Sequence, residues 1–178
     1  MTEGHVRPLR RTEYDLLVEQ DVFGDERIQL LEGELVAMSP QKAPHAGIVE
    51  ALNERLMPAL VGKARVRVQL PMAAGEHSEP EPDIAVVPAG EPRDRHPERA
   101  LLVIEVADSS LSLDLVRKPG IYAAAGVPVY WVIDLAGDVV HVHTDPVGEG
   151  YASVTRHGAN ETLDACGVSV TLRDLRNA

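Results

Sequence analysis

Cysteine is almost missing from this chain: Cys166 is the single one in 178 residues. One thiol excludes an intramolecular disulfide framework and any zinc site built from clustered cysteines. No apolar run approaches the roughly 18 to 20 residues of a membrane-spanning helix. The opening MTEGHVRPLRRTEYD has no apolar stretch of signal-peptide type. Basic residues are scarce as well, 17 Lys+Arg against 28 Asp+Glu, for a net charge of −11. A surface of that sign repels polyanions on average, which argues against a sequence-independent nucleic-acid coat. It leaves room for a local site where a metal ion reverses the sign. These shortages point to a cytoplasmic protein with no membrane segment.

What is present suits one packed core, with 44% hydrophobic and 25% charged residues. The length fits one domain of about 150 residues. Residues 1–11, carrying Arg7, Arg10 and Arg11, read as a loose N-terminal arm ahead of a single domain over 12–178. Thr12 and Asp15 can cap a short helix through about Gln20. Ile28–Leu31 and Glu34–Met38 flank Glu32-Gly33, a hairpin turn in which glycine tolerates positive φ. A helix is expected from Pro44, with Ile48, Val49, Leu52, Leu56 and Leu60 on one face and Pro58 kinking or ending it.

Arg65–Leu70 alternates strictly, as a half-buried strand does, and a second strand is expected at Asp83–Val87. Leu101–Val106 is a near-continuous apolar run of strand length, the pattern of a central strand covered on both faces. A helix through Ile121, Tyr122, Ala124 and Ala125 stops at Gly126, a C-cap residue, and strands follow at Val129–Ile133 and Val139–His143. Strand, helix and strand over 101–133 favour a parallel crossover. The earlier connections are too short for one and are antiparallel. The sum is an α/β domain with a mixed central β-sheet flanked by helices.

Glu105 interrupts this central strand, on the face of Leu101 and Val103. A carboxylate taken from water without compensation costs several kcal/mol. A basic partner, a proton, a metal ion or access to solvent at the strand end must offset it. Asp83 starts one strand while Glu105 lies near the end of the next. If those strands pair antiparallel, the two carboxylates become neighbours, and Mg²⁺ is a common solution to such a pair. Lys118 begins the crossover helix, so it either stands over the pair or is a solvated helix lysine. Pro119 directly after it disfavours helical backbone at Lys118, so either the helix starts at Pro119 with Lys118 just outside it or the lysine is placed differently.

The stretch Glu105-Val-Ala-Asp-Ser-Ser-Leu-Ser-Leu-Asp114, with Lys118 and Tyr122-Ala-Ala-Ala-Gly-Val-Pro-Val-Tyr-Trp-Val-Ile-Asp134, resembles the Uma2 (DUF820) family. Leu30–Pro40, His45, Val68–Pro71 and Glu79–Val87 extend the resemblance upstream, over roughly residues 12–143. That family is grouped with the PD-(D/E)XK nucleases. The resemblance implies a restriction-endonuclease-like core and a metal-dependent endonuclease cutting DNA phosphodiester bonds. Asp83, after Pro82, would be the Asp of the PD motif, and Glu105 the acid of (D/E)XK. Position 107 is Ala rather than the usual Lys, and Lys118 would substitute from the following helix. Glu34 would be an upstream acid at the metal, with Glu32 its near competitor, and His45 either approaches the same site or caps the long helix. Asp83, Glu105 and Glu34, with the Val106 carbonyl, would hold Mg²⁺ or Mn²⁺, and Lys118 would position or deprotonate the attacking water. A homodimer is expected, because one small acidic domain has little surface to grip a duplex. The competing reading is a catalytically inactive nuclease-fold protein that binds nucleic acid or a protein partner.

Other features carry plainer expectations. His141 and His143 share a strand face, expected to be the exposed face of an edge hairpin. Glu76, Glu79 and Glu81 read as a solvated acidic loop. Arg65, Arg67 and Gln69 share a polar strand face that either meets a phosphate backbone or pairs with those acids. Tyr130 and Trp131 read as core.

Overall fold

The computed structural model describes residues 6–178; residues 1–5 of the N-terminal arm lie outside the described residues. The elements run α1 (Arg11–Glu19), β1 (Ile28–Leu31), β2 (Glu34–Ala37), α2 (Ala43–Ala59), β3 (Ala64–Val68), β4 (Ile84–Pro88) and β5 (Leu102–Ala107). A π-helical turn at Leu113–Arg117 then enters α3 (Lys118–Ala124). The chain continues through β6 (Val129–Asp134), β7 (Val139–Val147), β8 (Gly150–Gly158), β9 (Leu163–Ala165), β10 (Val168–Val170) and α4 (Leu172–Arg176).

Six strands form one sheet in the order β3-β4-β5-β6-β7-β8, with β5 and β6 parallel and every other pair antiparallel. The mixed α/β sheet expected from the sequence is present. Every residue of β5 is buried, because both faces of the sheet are covered. On one face α2 lays Ile48, Val49, Leu52 and Leu56 against Ile84, Val86, Ile104 and Trp131. On the other, Tyr122 of α3 and Met72 pack with Val103, Tyr130 and Val132. Burying several large apolar side chains per face, at about 1.5–3 kcal/mol each, is the main term holding the layers together.

The β1–β2 hairpin turns at Glu32 (φ 51) and Gly33 (φ 81), the two positive values a tight hairpin turn demands. A Cβ on Gly33 would run into Pro8, and the Leu9 N–H donates to the Gly33 carbonyl at 3.0 Å. The described part of the arm, residues 6–10, is thereby tied to the hairpin. Pro58 sits in the last turn of α2, which ends one residue later. Helical backbone at Lys118 (φ −63, ψ −32) departs from the expectation set by Pro119. The π turn runs straight into α3, so Pro119 falls in a first turn, where a missing N–H costs little.

Two further expectations are corrected. β7 and β8 do form an edge hairpin, but the histidine face is not exposed: His143 is buried with its ring 5.2 Å from that of Tyr130. Glu79 is not solvated: it is buried beside the α1 layer, with Oε2 unpartnered, while Glu81 pairs with Arg27 at 2.6 Å.

Candidate active site

Register brings the two acids together. Ile84 pairs with Ile104 in the antiparallel β4–β5 ladder, so Asp83, just before β4, stands opposite Glu105, whose side chain takes the α3 face. Asp83 Oδ2 accepts the Val106 N–H at 2.8 Å and lies 3.0 Å from His45 Nε2. Its Oδ1 accepts from Gln69 Nε2 at 3.3 Å. His45 reaches this point from the first turn of α2, and its Nδ1 is buried without a partner. Burial pulls the imidazole pKa down, but the Asp83 hydrogen bond and the charges of Asp83, Glu105 and Asp114 outweigh it, and the net shift is upward.

Glu105 sits in the interior with Lys118. Lys118 Nζ lies 2.9 Å from Glu105 Oε1 and 3.1 Å from Asp114 Oδ1. The Tyr122 hydroxyl donates to the same Oε1 at 2.7 Å. Among the described residues no donor is placed on Oε2. Burial pushes the Glu105 carboxyl up to about 8; Lys118 opposes the shift, and the charges of Asp114 and Asp83 add to it. Burial lowers the Lys118 pKa, yet its two carboxylate neighbours outweigh that and hold the ammonium charged. Ser110 donates to Asp114 Oδ2, and the Tyr130 hydroxyl donates to the Asp114 carbonyl at 2.8 Å. Three carboxyls, Asp83, Glu105 and Asp114, thus face one lysine and one histidine, and the cluster is short of positive charge.

Asp83, Glu105, Val106, His45 and Lys118 line one cleft of about 280 Å³, walled by the 38–42 and 108–110 loops. Glu34 does not join them. Its side chain is exposed and pairs with Arg117 at 2.8 Å, and Glu32 holds the same guanidinium at 2.7 Å. The hairpin sends Gln29, not an acid, into the cleft. Alternation along β2 turns Glu34 toward Arg117, which is why the expected upstream acid lies elsewhere.

Sequence reasoning missed Asp114 and Tyr122 as partners of Lys118. The signal is in the spacing: 114, 118 and 122 are four apart, so they share a helix face. Taking Tyr122 as an apolar position alone hides the series.

The cleft's chemistry can be tested against a hard divalent cation. The Asp83 and Glu105 carboxylates offer oxygen ligands, as Mg²⁺ prefers, and among the described residues one carboxylate oxygen of Glu105 has no donor on it. Among the described residues no three His, Cys, Asp or Glu side chains converge as a metal cage. An ion here would complete its shell with water, which suits Mg²⁺, an ion that gives up water reluctantly. The donor set fits.

A mixed sheet with paired acids at its rim and a lysine from the crossover helix is the layout of a nuclease-like domain. The chain belongs to the Uma2 family, described as "Putative restriction endonuclease", whose profile it matches over residues 12–173. The fold is also similar to a crystal structure from Anabaena variabilis ATCC 29413, described as "a putative nuclease belonging to DUF820". The two share 17% identity at a TM-score of 0.65, covering 90% of this chain and 97% of that one. No curated protein matches. Among the described residues no helix is long and apolar enough to cross a membrane.

Proposed function

We propose that the protein is a metal-dependent endonuclease that hydrolyses DNA phosphodiester bonds in the Asp83–Glu105 cleft. The observation that carries this reading is the pairing of Asp83 with Glu105 across β4 and β5, with Lys118 Nζ 2.9 Å from Glu105. Asp83 and Glu105, with the Val106 carbonyl, would hold Mg²⁺ or Mn²⁺. Such an ion lowers the pKa of a bound water and neutralises charge developing on phosphate. Lys118 would keep its ammonium at the cleft floor and orient the attacking water, while Tyr122 and Asp114 fix its position. His45 would hold Asp83 in place from the opposite wall. Glu34, clamped by Arg117, has no part in this reading. The reading treats 12–178 as a single domain and the cytoplasm as its location. It takes a homodimer as the working form, since one acidic domain grips little of a duplex.

A second reading has its own observation. Both Asp83 oxygens and Glu105 Oε1 already have protein partners, as in a site retired from catalysis and kept for binding. Nicking of supercoiled plasmid with Mg²⁺ or Mn²⁺ separates the two. The enzyme reading expects wild type to nick and Glu105→Ala to lose the activity. Equal nicking by both would remove the support for this site, and duplex binding without any nicking would favour the binding module.

A further inference from the structure

Among the described residues, nine of the 17 Lys and Arg side chains pair with a carboxylate. Arg7, Arg27, Lys42, Arg99, Arg117, Lys118 and Arg176 each lie within 3.2 Å of a carboxylate. Three arginines at the free edge of the sheet differ. Arg65 donates to the carbonyls of Glu91 and Pro92, and Arg67 to that of Pro71. Among the described residues no carboxylate pairs with either, or with exposed Arg93 of the 90–99 loop. The Nε atoms of Arg65 and Arg67 are buried without partners. Burial and the charge of Arg65 lower the Arg67 pKa, with no acid opposing. In a chain of net charge −11, three arginines without carboxylate partners that share one groove with no acid in its lining make a local patch of positive charge. All three side chains line one groove along β3, with Met57, Val61 and Leu70 on its walls.

The groove also leads to the cleft. Arg65 pairs with Val87 and Arg67 with Ala85 in the β3–β4 ladder, so both take the α3 face of the sheet. Gln69, two residues beyond Arg67, donates to Asp83. Arg65 and Arg67 thus lie along β3, and Gln69, at the bend just past the strand's end, carries the line on to the carboxylate pair.

We propose that the β3-edge groove of Arg65, Arg67 and Arg93 binds the phosphate backbone of duplex DNA and delivers the strand to the Asp83–Glu105 cleft. The choice of DNA as the polyanion rests on the nuclease reading. Exposed apolar walls along an edge strand would also suit a second copy of this chain, but two copies meeting here would set arginine against arginine.

The test measures binding of a short fluorescent duplex in EDTA, where no cleavage occurs, across about 50–200 mM salt. Every phosphate left without its arginine lowers the slope of log affinity against log salt by about 0.9. The Arg65→Gln, Arg67→Gln, Arg93→Gln triple variant is therefore expected to lower the slope by about 2–3. Arg93→Gln alone, an exposed loop change that leaves the fold intact, is expected to lower it by about 0.9. Arg156→Gln on β8, the opposite edge of the sheet, is the control and should leave the slope in place. Unchanged slopes in the groove variants overturn the proposal, as does an equal fall in Arg156→Gln or a wild type that binds no duplex. A change of oligomeric state with the slope kept makes the groove a junction between copies and overturns it as well. A slope that falls as expected beside a wild type that never nicks plasmid supports the groove while sinking the nuclease reading. Nicking with an unchanged slope does the reverse.

Discussion

Arg117 and Lys118 are neighbours in sequence, and each bridges two carboxylates, yet they live in different solvents. Arg117 holds Glu32 and Glu34, whose side chains are 58% and 69% exposed. Lys118 holds Glu105 and Asp114, which are 4% and 1% exposed. Each cation stands between two carboxyl groups. In water the triad gains little, because solvent screens it and two long side chains must be ordered. Inside, every charge has lost its hydration, so each partner becomes a condition for the others. The junction of the π turn and α3 is what separates them, by sending consecutive residues to opposite surroundings. One triad stands on the surface; the other is closed inside the fold.

The largest expected effect tests the buried member. Lys118→Met leaves Glu105 and Asp114 without a cation, and breaking a buried pair in this way costs about 3–5 kcal/mol. In a chain of this size that is a melting-temperature drop on the order of 10 °C. Glu105, whose carboxyl burial already pushes up, can relieve the strain by taking up a proton, so the loss should be smaller at pH 5 than at pH 8, read by urea denaturation. Combining it with Glu105→Gln should recover part of the loss, since a neutral amide needs no counter-charge. An additive double variant would show that the two groups do not interact.

Glu105→Gln alone sharpens the functional side of the comparison. Lys118 keeps Asp114, and the amide keeps the shape, so stability without metal should change by about 1 kcal/mol or less. The proposed metal site should suffer far more. Wild type with Mn²⁺ at about 100 times its dissociation constant would gain about 2.7 kcal/mol, and the variant should lose that gain. A thermal shift with Mn²⁺ that survives Glu105→Gln would place the ion elsewhere.

Glu79 offers an intermediate case. Burial raises its carboxyl from 4.5 to about 7; Asp15 adds to the shift and Arg11 opposes it. His96 Nε2, 3.5 Å from Oε1, is its nearest basic neighbour. A folded-state pKa above the unfolded value means that the folded chain holds this proton more tightly. The contribution is complete below about pH 4.5 and is lost as pH rises through 7. Glu79→Gln should therefore raise the urea midpoint at pH 8 relative to wild type and narrow the gap between pH 5 and pH 8. A gap of unchanged width would mean that other groups carry the pH dependence.

These cases also mark where the sequence was readable. The β5 run and the Glu32-Gly33 turn announced themselves, because burial on two faces and positive φ leave local traces. The Asp83–Glu105 meeting followed from strand polarity alone, with no side-chain knowledge required. The fates of Glu34, Glu79 and His143 were not local matters. Glu34 turns to Arg117, which lies far along the chain; Glu79 is covered by α1; His143 is packed between Tyr130 and Tyr151. Alternation says which face a residue takes, but only the packed fold says what covers that face. Pro119 misled for a related reason: its rule describes an isolated dipeptide, and a π turn arriving from upstream overrode it.

Arg117→Ala is the smallest expected effect and a sharp test of where the site ends. The guanidinium also donates to the Leu31 carbonyl at 2.7 Å, so its removal loosens the hairpin as well as freeing two carboxylates. Exposed pairs contribute up to about 1 kcal/mol, a melting shift of roughly 2–4 °C. The Mn²⁺ thermal shift should not move, because Glu32 and Glu34 stand outside the cleft. If Glu34 did serve the metal, freeing it from Arg117 would strengthen Mn²⁺ binding. A larger shift in the variant than in wild type would then draw the hairpin back into the site and dissolve the contrast between the two neighbouring cations.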